Sequence, residues 1–152
     1  MKYEKEQEQF VLSTDSKLLD VILIHQYLSV ESYWAKNIPL ATVQQSIEGS
    51  LCFGIYQKQP AHAQVGFARV VTDKATFAYL ADVFILPPFR GRGLSKWMME
   101  CIMAHPQLQG LRKWMLGTKD AHGLYSQFGF RPLDNPERTM GYAPFITYPE
   151  TQ

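Results

Sequence analysis

Hydrophobic residues along this chain fall into blocks of helical and of strand-like spacing. Leu18, Leu19, Ile22 and Leu23 make a helical stripe that Thr14 or Asp15 is placed to cap, with His25 and Tyr27 near its end. A loop with Tyr33, Trp34 and Pro39 follows, and 41–48 reads as a second short helix closed by Gly49. Strand spacing takes over at 51–56, 64–72 and 76–86, joined by a turn at 57–60 and a tight Asp73-Lys74 connection, which predicts consecutive antiparallel strands. Beyond them, 94–103 is an apolar helix stopped at His105-Pro106. The stretch 113–117 is a strand, and 121–128 a helix with Asp120 as its N-cap. Phe130 to Pro132 opens another strand, and the tail, 135–149, adds one more around 140–146. The polar, acidic start, 1–9, reads as a solvated lead-in. The pattern is mixed α/β with a largely antiparallel beginning.

Length and composition narrow the picture. With 152 residues, 46% hydrophobic and 19% charged, the chain is expected to form one domain with a single substantial core. A net charge of +1 leaves no electrostatic footprint for nucleic acid or an anionic membrane. Leu18 to Leu28 is apolar but about half the length a membrane span requires. Cys52 and Cys101 sit in apolar stretches without metal-type spacing, so they read as small packed hydrophobes in a reducing, cytoplasmic setting, and no metal is called for. The proline- and aromatic-rich tail from Asn135 offers a surface for a second subunit, so a homodimer is one expectation.

The chemistry concentrates at one junction. The strand ending Val83-Phe84-Ile85 gives way through Arg90-Gly91-Arg92-Gly93-Leu94-Ser95 to a helix. Such a junction aims backbone N–H groups outward at a helix N-terminus, whose partial positive charge favours an anion, above all a phosphate. Gly91 and Gly93 let a ligand approach the backbone, and the two arginines add permanent charge. A nucleoside-triphosphate loop needs a Gly-Lys pair, which the chain lacks, and a dinucleotide fingerprint needs a third glycine where Lys96 stands.

What remains, Arg90-x-x-Gly93-x-Ser95, resembles the Gln/Arg-x-x-Gly-x-Gly/Ala signature of the GNAT family of N-acetyltransferases. Some thirty residues on, Leu124-Tyr-Ser-Gln-Phe-Gly-Phe130 resembles that family's second hallmark, Tyr-x-x-x-Gly-Phe. The resemblance covers nearly the whole chain. It implies an acyl-CoA N-acyltransferase fold, whose central sheet parts between its fourth and fifth strands, here 76–86 and 113–117. It also implies acetyl-CoA as cosubstrate, with its pyrophosphate on the N–H groups of 91–95 and its pantetheine arm along the free edge at Val83, Phe84 and Ile85. Ser95 departs from the usual glycine or alanine, but it is small enough to fit and its hydroxyl suits a phosphate. Thr118 stands where relatives often carry a pantetheine-contacting asparagine.

The same resemblance makes Tyr125 the acid that meets the departing thiolate, since a phenol is protonated at neutral pH. Asp82, the one charge in its strand, reads either as the base that takes the amine's proton or as a carboxylate paired with Arg69 or held at a bulge. His25, Tyr33 and Trp34 fall in the two-helix region that covers the acceptor in related enzymes, and aromatics there suit an amine. His122 lies one turn before Tyr125. The expected reaction is direct transfer of acetyl to a primary amine of a small, amino-acid-like acceptor. A non-catalytic acyl-CoA sensor and a protein lysine or N-terminal acetyltransferase are the alternatives.

Overall fold

In the computed structural model, which describes residues 2–150, six strands form one sheet in the order β1-β2-β3-β4-β5-β6. Its first two strands correct the reading of the start as a solvated lead-in. β1 (Glu4–Gln7) and β2 (Phe10–Ser13) form a hairpin whose tip, Glu8, adopts a positive φ of 54°. Phe10 and Leu12 bury their side chains, in the period-two alternation of a strand. β3 (Leu51–Gln57), β4 (Ala63–Thr72) and β5 (Phe77–Ile85) continue antiparallel, as expected.

β6 (Lys113–Leu116) runs parallel to β5, paired from Phe77 with Lys113 to Leu80 with Leu116. There the pairing stops, while β5 runs on to Ile85. Just past the last pair, Asp82 takes a positive φ of 54°, and the register with β4 shifts between Phe67 and Arg69. A bulge of this kind bends its strand. The expected parting of the two strands is thus present, and it leaves one edge of β5 open.

The first expected helix is divided. A 3₁₀ turn at Ser16–Leu18 is capped by Asp15, which accepts from the Lys17 N–H. α1 (Val21–Gln26) starts afresh at Asp20, whose carboxylate accepts from the Leu23 N–H, and runs into a π-type turn at Tyr27–Glu31. α2 (Leu40–Glu48) follows Pro39. α3 (Leu94–Met103) buries Leu94, Trp97, Met98, Met99 and Ile102 against one sheet face, with Phe53, Ile55, Val70 and Leu80. The other face packs Cys52, Phe67 and Phe84 under Ile24, Leu28 and Val43 of the α1–α2 region. Alternation along β3 and β4 divides the side chains between these two cores. Cys52 and Cys101 are free, buried and in different cores.

α4 is shorter than expected, His122–Ser126, and Asp120 is not its cap; the Thr118 hydroxyl accepts from the Ala121 N–H instead. The strands expected at 130–132 and 140–146 do not form, and every residue from 131 to 147 is exposed. Pro132, Pro136 and Pro144 each remove a backbone donor from this stretch. Among the described residues no helix is long and apolar enough to cross a membrane.

Candidate active site

Where β5 and β6 part, a cleft of about 700 Å³ opens between the β5 edge, the loop after β6, α4 and the α1–α2 connection. It brings together Tyr33, Trp34, Asp82, Val83, Thr118 and Tyr125, which lie as far as 92 positions apart in sequence (33 to 125). Thr42, Ser46, Arg69, Tyr79, Lys119 and Tyr148 also line it. Most of these sequence reasoning passed over, since isolated polar and aromatic residues on separate elements share no local pattern.

Asp82 sits on the cleft wall at the bulge. One carboxylate oxygen accepts from Arg69 Nε at 2.8 Å and the other from Trp34 Nε1 at 2.8 Å. Arg69 also donates to the Ser50 hydroxyl. The paired, bulge-held alternative for Asp82 is therefore the arrangement present. Both oxygens are engaged, and the acid's evident work is to hold the lid tryptophan to the sheet.

Tyr125 projects from α4, buried and edge-on to Phe130 at 6.2 Å between ring centroids. Burial above all, then Tyr33 and Asp120 nearby, push its hydroxyl up to about 12. It stays protonated at any physiological pH. A thiol titrates near 8.5, so complete proton transfer to a thiolate would be roughly a thousandfold uphill. The group is suited to donate a hydrogen bond to developing negative charge and keep its proton.

Across the mouth, the Lys119 backbone N–H donates to the Tyr33 hydroxyl at 2.8 Å, and Lys119 Nζ lies 5.6 Å from the same ring's centre. Trp34 meets Tyr33 edge-on at 5.0 Å. The α1–α2 connection is thereby tied to the loop after β6, and the partly exposed rings of Tyr33 and Trp34 stand at the cleft mouth.

The two weaker acceptor-site expectations fall elsewhere. His25 Nε2 bonds the Ile38 carbonyl at 2.9 Å and does not line the cleft; it braces α1 against the following loop. His122 is exposed and faces a separate groove beyond β6.

At the glycine turn, Gly91 and Gly93 take positive φ values of 79° and 75°, and a Cβ added to either would meet nothing within 4 Å. Open space in front of left-handed glycines fits an anion cradle. The N–H groups of Gly91, Arg92 and Gly93 donate to no backbone carbonyl among the described residues, and Leu94 and Ser95 begin α3, where N–H groups have no partner within the helix. Arg90, expected near the phosphate, has two of its guanidinium nitrogens engaged within the protein. Its Nε donates to the Ile85 carbonyl at 3.0 Å and a terminal nitrogen to the Tyr27 hydroxyl at 2.9 Å. Tyr27 in turn stacks on Phe84 at 3.9 Å. Arg90 thus fastens the end of β5 to the α1 side, and the Ile85 carbonyl is already engaged. Arg92 rests over the Phe89 ring, 5.4 Å from its centre, and is exposed.

Comparison with known proteins points the same way as the geometry. The model of the acetyltransferase (GNAT) domain matches residues 48–132. A Gibberella zeae protein named as an acetyltransferase is 34% identical over 137 residues, covering 78% of this chain and 76% of its own length. The crystal structure of a Xanthomonas campestris protein described as an acetyltransferase of the GNAT family superposes with a TM-score of 0.86 at 54% identity, covering 91% of this chain and 96% of that one. A GNAT family acetyltransferase from Elizabethkingia anophelis, solved with acetyl-CoA bound, shares the fold at 13% identity, with a TM-score of 0.60 over 84% of this chain and 80% of its own.

Proposed function

The chain belongs to the GNAT acetyltransferase family, and from that premise we propose that it transfers acetyl from acetyl-CoA to the primary amine of a small, amino-acid-like acceptor. One observation carries the choice of acceptor. The Tyr33 hydroxyl is tied to the Lys119 backbone across the cleft, which sets the Tyr33 and Trp34 rings at its mouth on the Tyr125 side. A mouth bridged in this way and flanked by aromatic rings suits a compact amine better than an extended peptide, which needs an unobstructed groove.

Acetyl-CoA supplies a thioester that a neutral amine attacks, expelling a thiolate. The residues that would hold it are Gly91 to Ser95 through their N–H groups, Arg92 through its charge, and Val83 and Phe84 on the open strand edge. Tyr125 would donate a hydrogen bond to the developing thiolate and keep its proton, while the proton lost by the amine passes to solvent. Asp82, fully engaged with Arg69 and Trp34, is a positioning residue: it orients the tryptophan that shapes the acceptor pocket. An α-amine, with a pKa near 8, loses its proton to solvent at a cost of roughly one pK unit at pH 7, so no strong base is required for this acceptor class.

The test has two stages. Calorimetric titration with acetyl-CoA, free CoA and ATP is expected to give micromolar binding for the CoA pair and none for ATP. Thiol release is then followed with a panel of amino acids, aromatic amines, a lysine-bearing peptide and a peptide with a free N-terminus. Turnover of the small amines alone agrees with the proposal, whereas peptide turnover without them overturns the acceptor class. A folded sample that ignores acetyl-CoA overturns the cofactor assignment.

A further inference from the structure

Arg69 is the one cation in the apolar run of β4 from Val65 to Val71, and its side chain is only 19% exposed. An arginine has five N–H donors, and a largely buried one needs acceptors for them. Two are satisfied within the protein. Nε donates to Asp82 at 2.8 Å, and Nη1 donates to the Ser50 hydroxyl at 3.1 Å. Nη2 donates to nothing among the described residues. The fully buried side-chain atoms without a partner are Tyr56 Oη and His105 Nε2, so Nη2 is reached by solvent, and the open space that Arg69 lines is the cleft. Asp82 and Ser50 hold the guanidinium in place, so its free end is preorganised before any ligand arrives.

A second unspent donor comes from α2. Thr42, in its first turn, is half-buried and lines the same cleft, and its hydroxyl bonds to no group among the described residues. Ser46, one turn further along, differs, because its hydroxyl is committed to the Val43 carbonyl. The acids of the cleft leave both donors unmet. Asp82 has its two oxygens on Arg69 Nε and Trp34, and Asp120, in the loop after β6, bonds to neither donor.

We propose that Arg69, with Thr42, receives a carboxylate on the acceptor, so that the substrate is an amino acid with its carboxyl group free. The inference rests on the acetyl-transfer reading above and narrows its acceptor. A guanidinium fork matches the two oxygens of a carboxylate, and a charged acceptor makes such a bond about twice as strong as a neutral carbonyl does. A phosphate fits less well, because Asp82 already neutralises Arg69 and a dianion beside the pair would leave charge uncompensated. Arg69 and Tyr125 line one cleft, so a carboxylate held at the first leaves the nearby amine in the space before the second. Arg69 thus determines specificity and takes no part in the chemistry.

Steady-state thiol release by the full chain, saturated with acetyl-CoA, tests this on pairs: each amino acid against its own amide, with phosphoethanolamine as the phosphate-bearing amine. The free acids should exceed their amides by about ten- to a hundredfold in kcat/KM, mostly through KM, as one charge-assisted bond gives. An amide's α-amine is the weaker base and more often neutral, so this preference cannot come from the state of the nucleophile. Arg69→Lys keeps a cation for Asp82 but removes the fork, and should bring the acid-over-amide ratio to within about threefold. Thr42→Val should lower the same ratio severalfold. Acetyl-CoA titration of each variant reports that it is folded; if Arg69→Lys fails there, Thr42→Val carries the decision. Amides turned over as well as acids overturn the proposal and leave acetyl transfer to small amines in place, as does a preference for phosphoethanolamine. An acid preference that survives the substitutions overturns the assignment to Arg69 and Thr42. Failure of the underlying reading looks different, because then neither acids, amides nor other small amines release thiol.

Discussion

Replacing Asp82 by asparagine separates a positioning carboxylate from a catalytic base. Its pair with Arg69 is 2.8 Å long, with side chains only 10% and 19% exposed, so water screens it poorly. Unit charges about 4 Å apart attract by roughly 4 kcal/mol at an effective dielectric constant of 20. Desolvation cancels part of this, leaving a net coupling of about 1.5–3 kcal/mol. Asparagine tolerates the positive φ but has one acceptor oxygen for two donors, so with that oxygen on Arg69 its amide nitrogen faces the Trp34 N–H and displaces the ring. Asp82→Asn and Arg69→Met should therefore each destabilise by about 2–3 kcal/mol, while the double variant costs little more than either. Urea unfolding of the four proteins measures the coupling. Activity should follow the same logic: Asp82→Asn raises the acceptor KM through the displaced tryptophan while preserving the acidic limb of the pH–rate profile. Additive stabilities within about 0.5 kcal/mol, with that limb abolished, would refute the positioning role and restore the base.

Tyr125→Phe keeps the packing against Phe130 and removes one donor, so kcat should fall by about a hundredfold with acetyl-CoA affinity within about twofold by calorimetry; an unchanged kcat excludes it from the chemistry. Because burial holds that hydroxyl near 12, the wild-type rate should show no basic limb from it up to about pH 10, and a fall assignable to Tyr125 below pH 9 would contradict this. Gly93→Asp should abolish acetyl-CoA binding while Gly93→Asn, neutral and equally tolerant of the left-handed backbone, retains the fold and part of the affinity; equal binding by both removes the anion cradle. His105 is fully buried and burial lowers its pKa, so it folds neutral while the unfolded chain takes up a proton near pH 6.5. Stability should fall as pH drops below about 6.5, and thermal melts of His105→Leu should show a shallower decline over the same range.

The glycine turn and the Leu124–Phe130 motif were legible because each is local: left-handed glycines, a helix start and a tyrosine at a helix end lie within a few residues. The strands from Leu51 to Ile85 were legible too, since short apolar runs bounded by turn residues are written directly into neighbouring positions. The opening hairpin was not, because only contact with β3 reveals that Phe10 and Leu12 face a core. Arg90 stands in a phosphate motif, yet its reach to Tyr27, 63 positions away, turns it into a fastener. Asp82 had two readings in the chain alone, and the approach of Arg69 and Trp34 decided between them. The chain order thus determined the architecture, the family and the candidate chemistry. Tertiary structure decided which polar groups remain free for a ligand, because a side chain's hydrogen bonds depend on partners that sequence spacing does not bring into view.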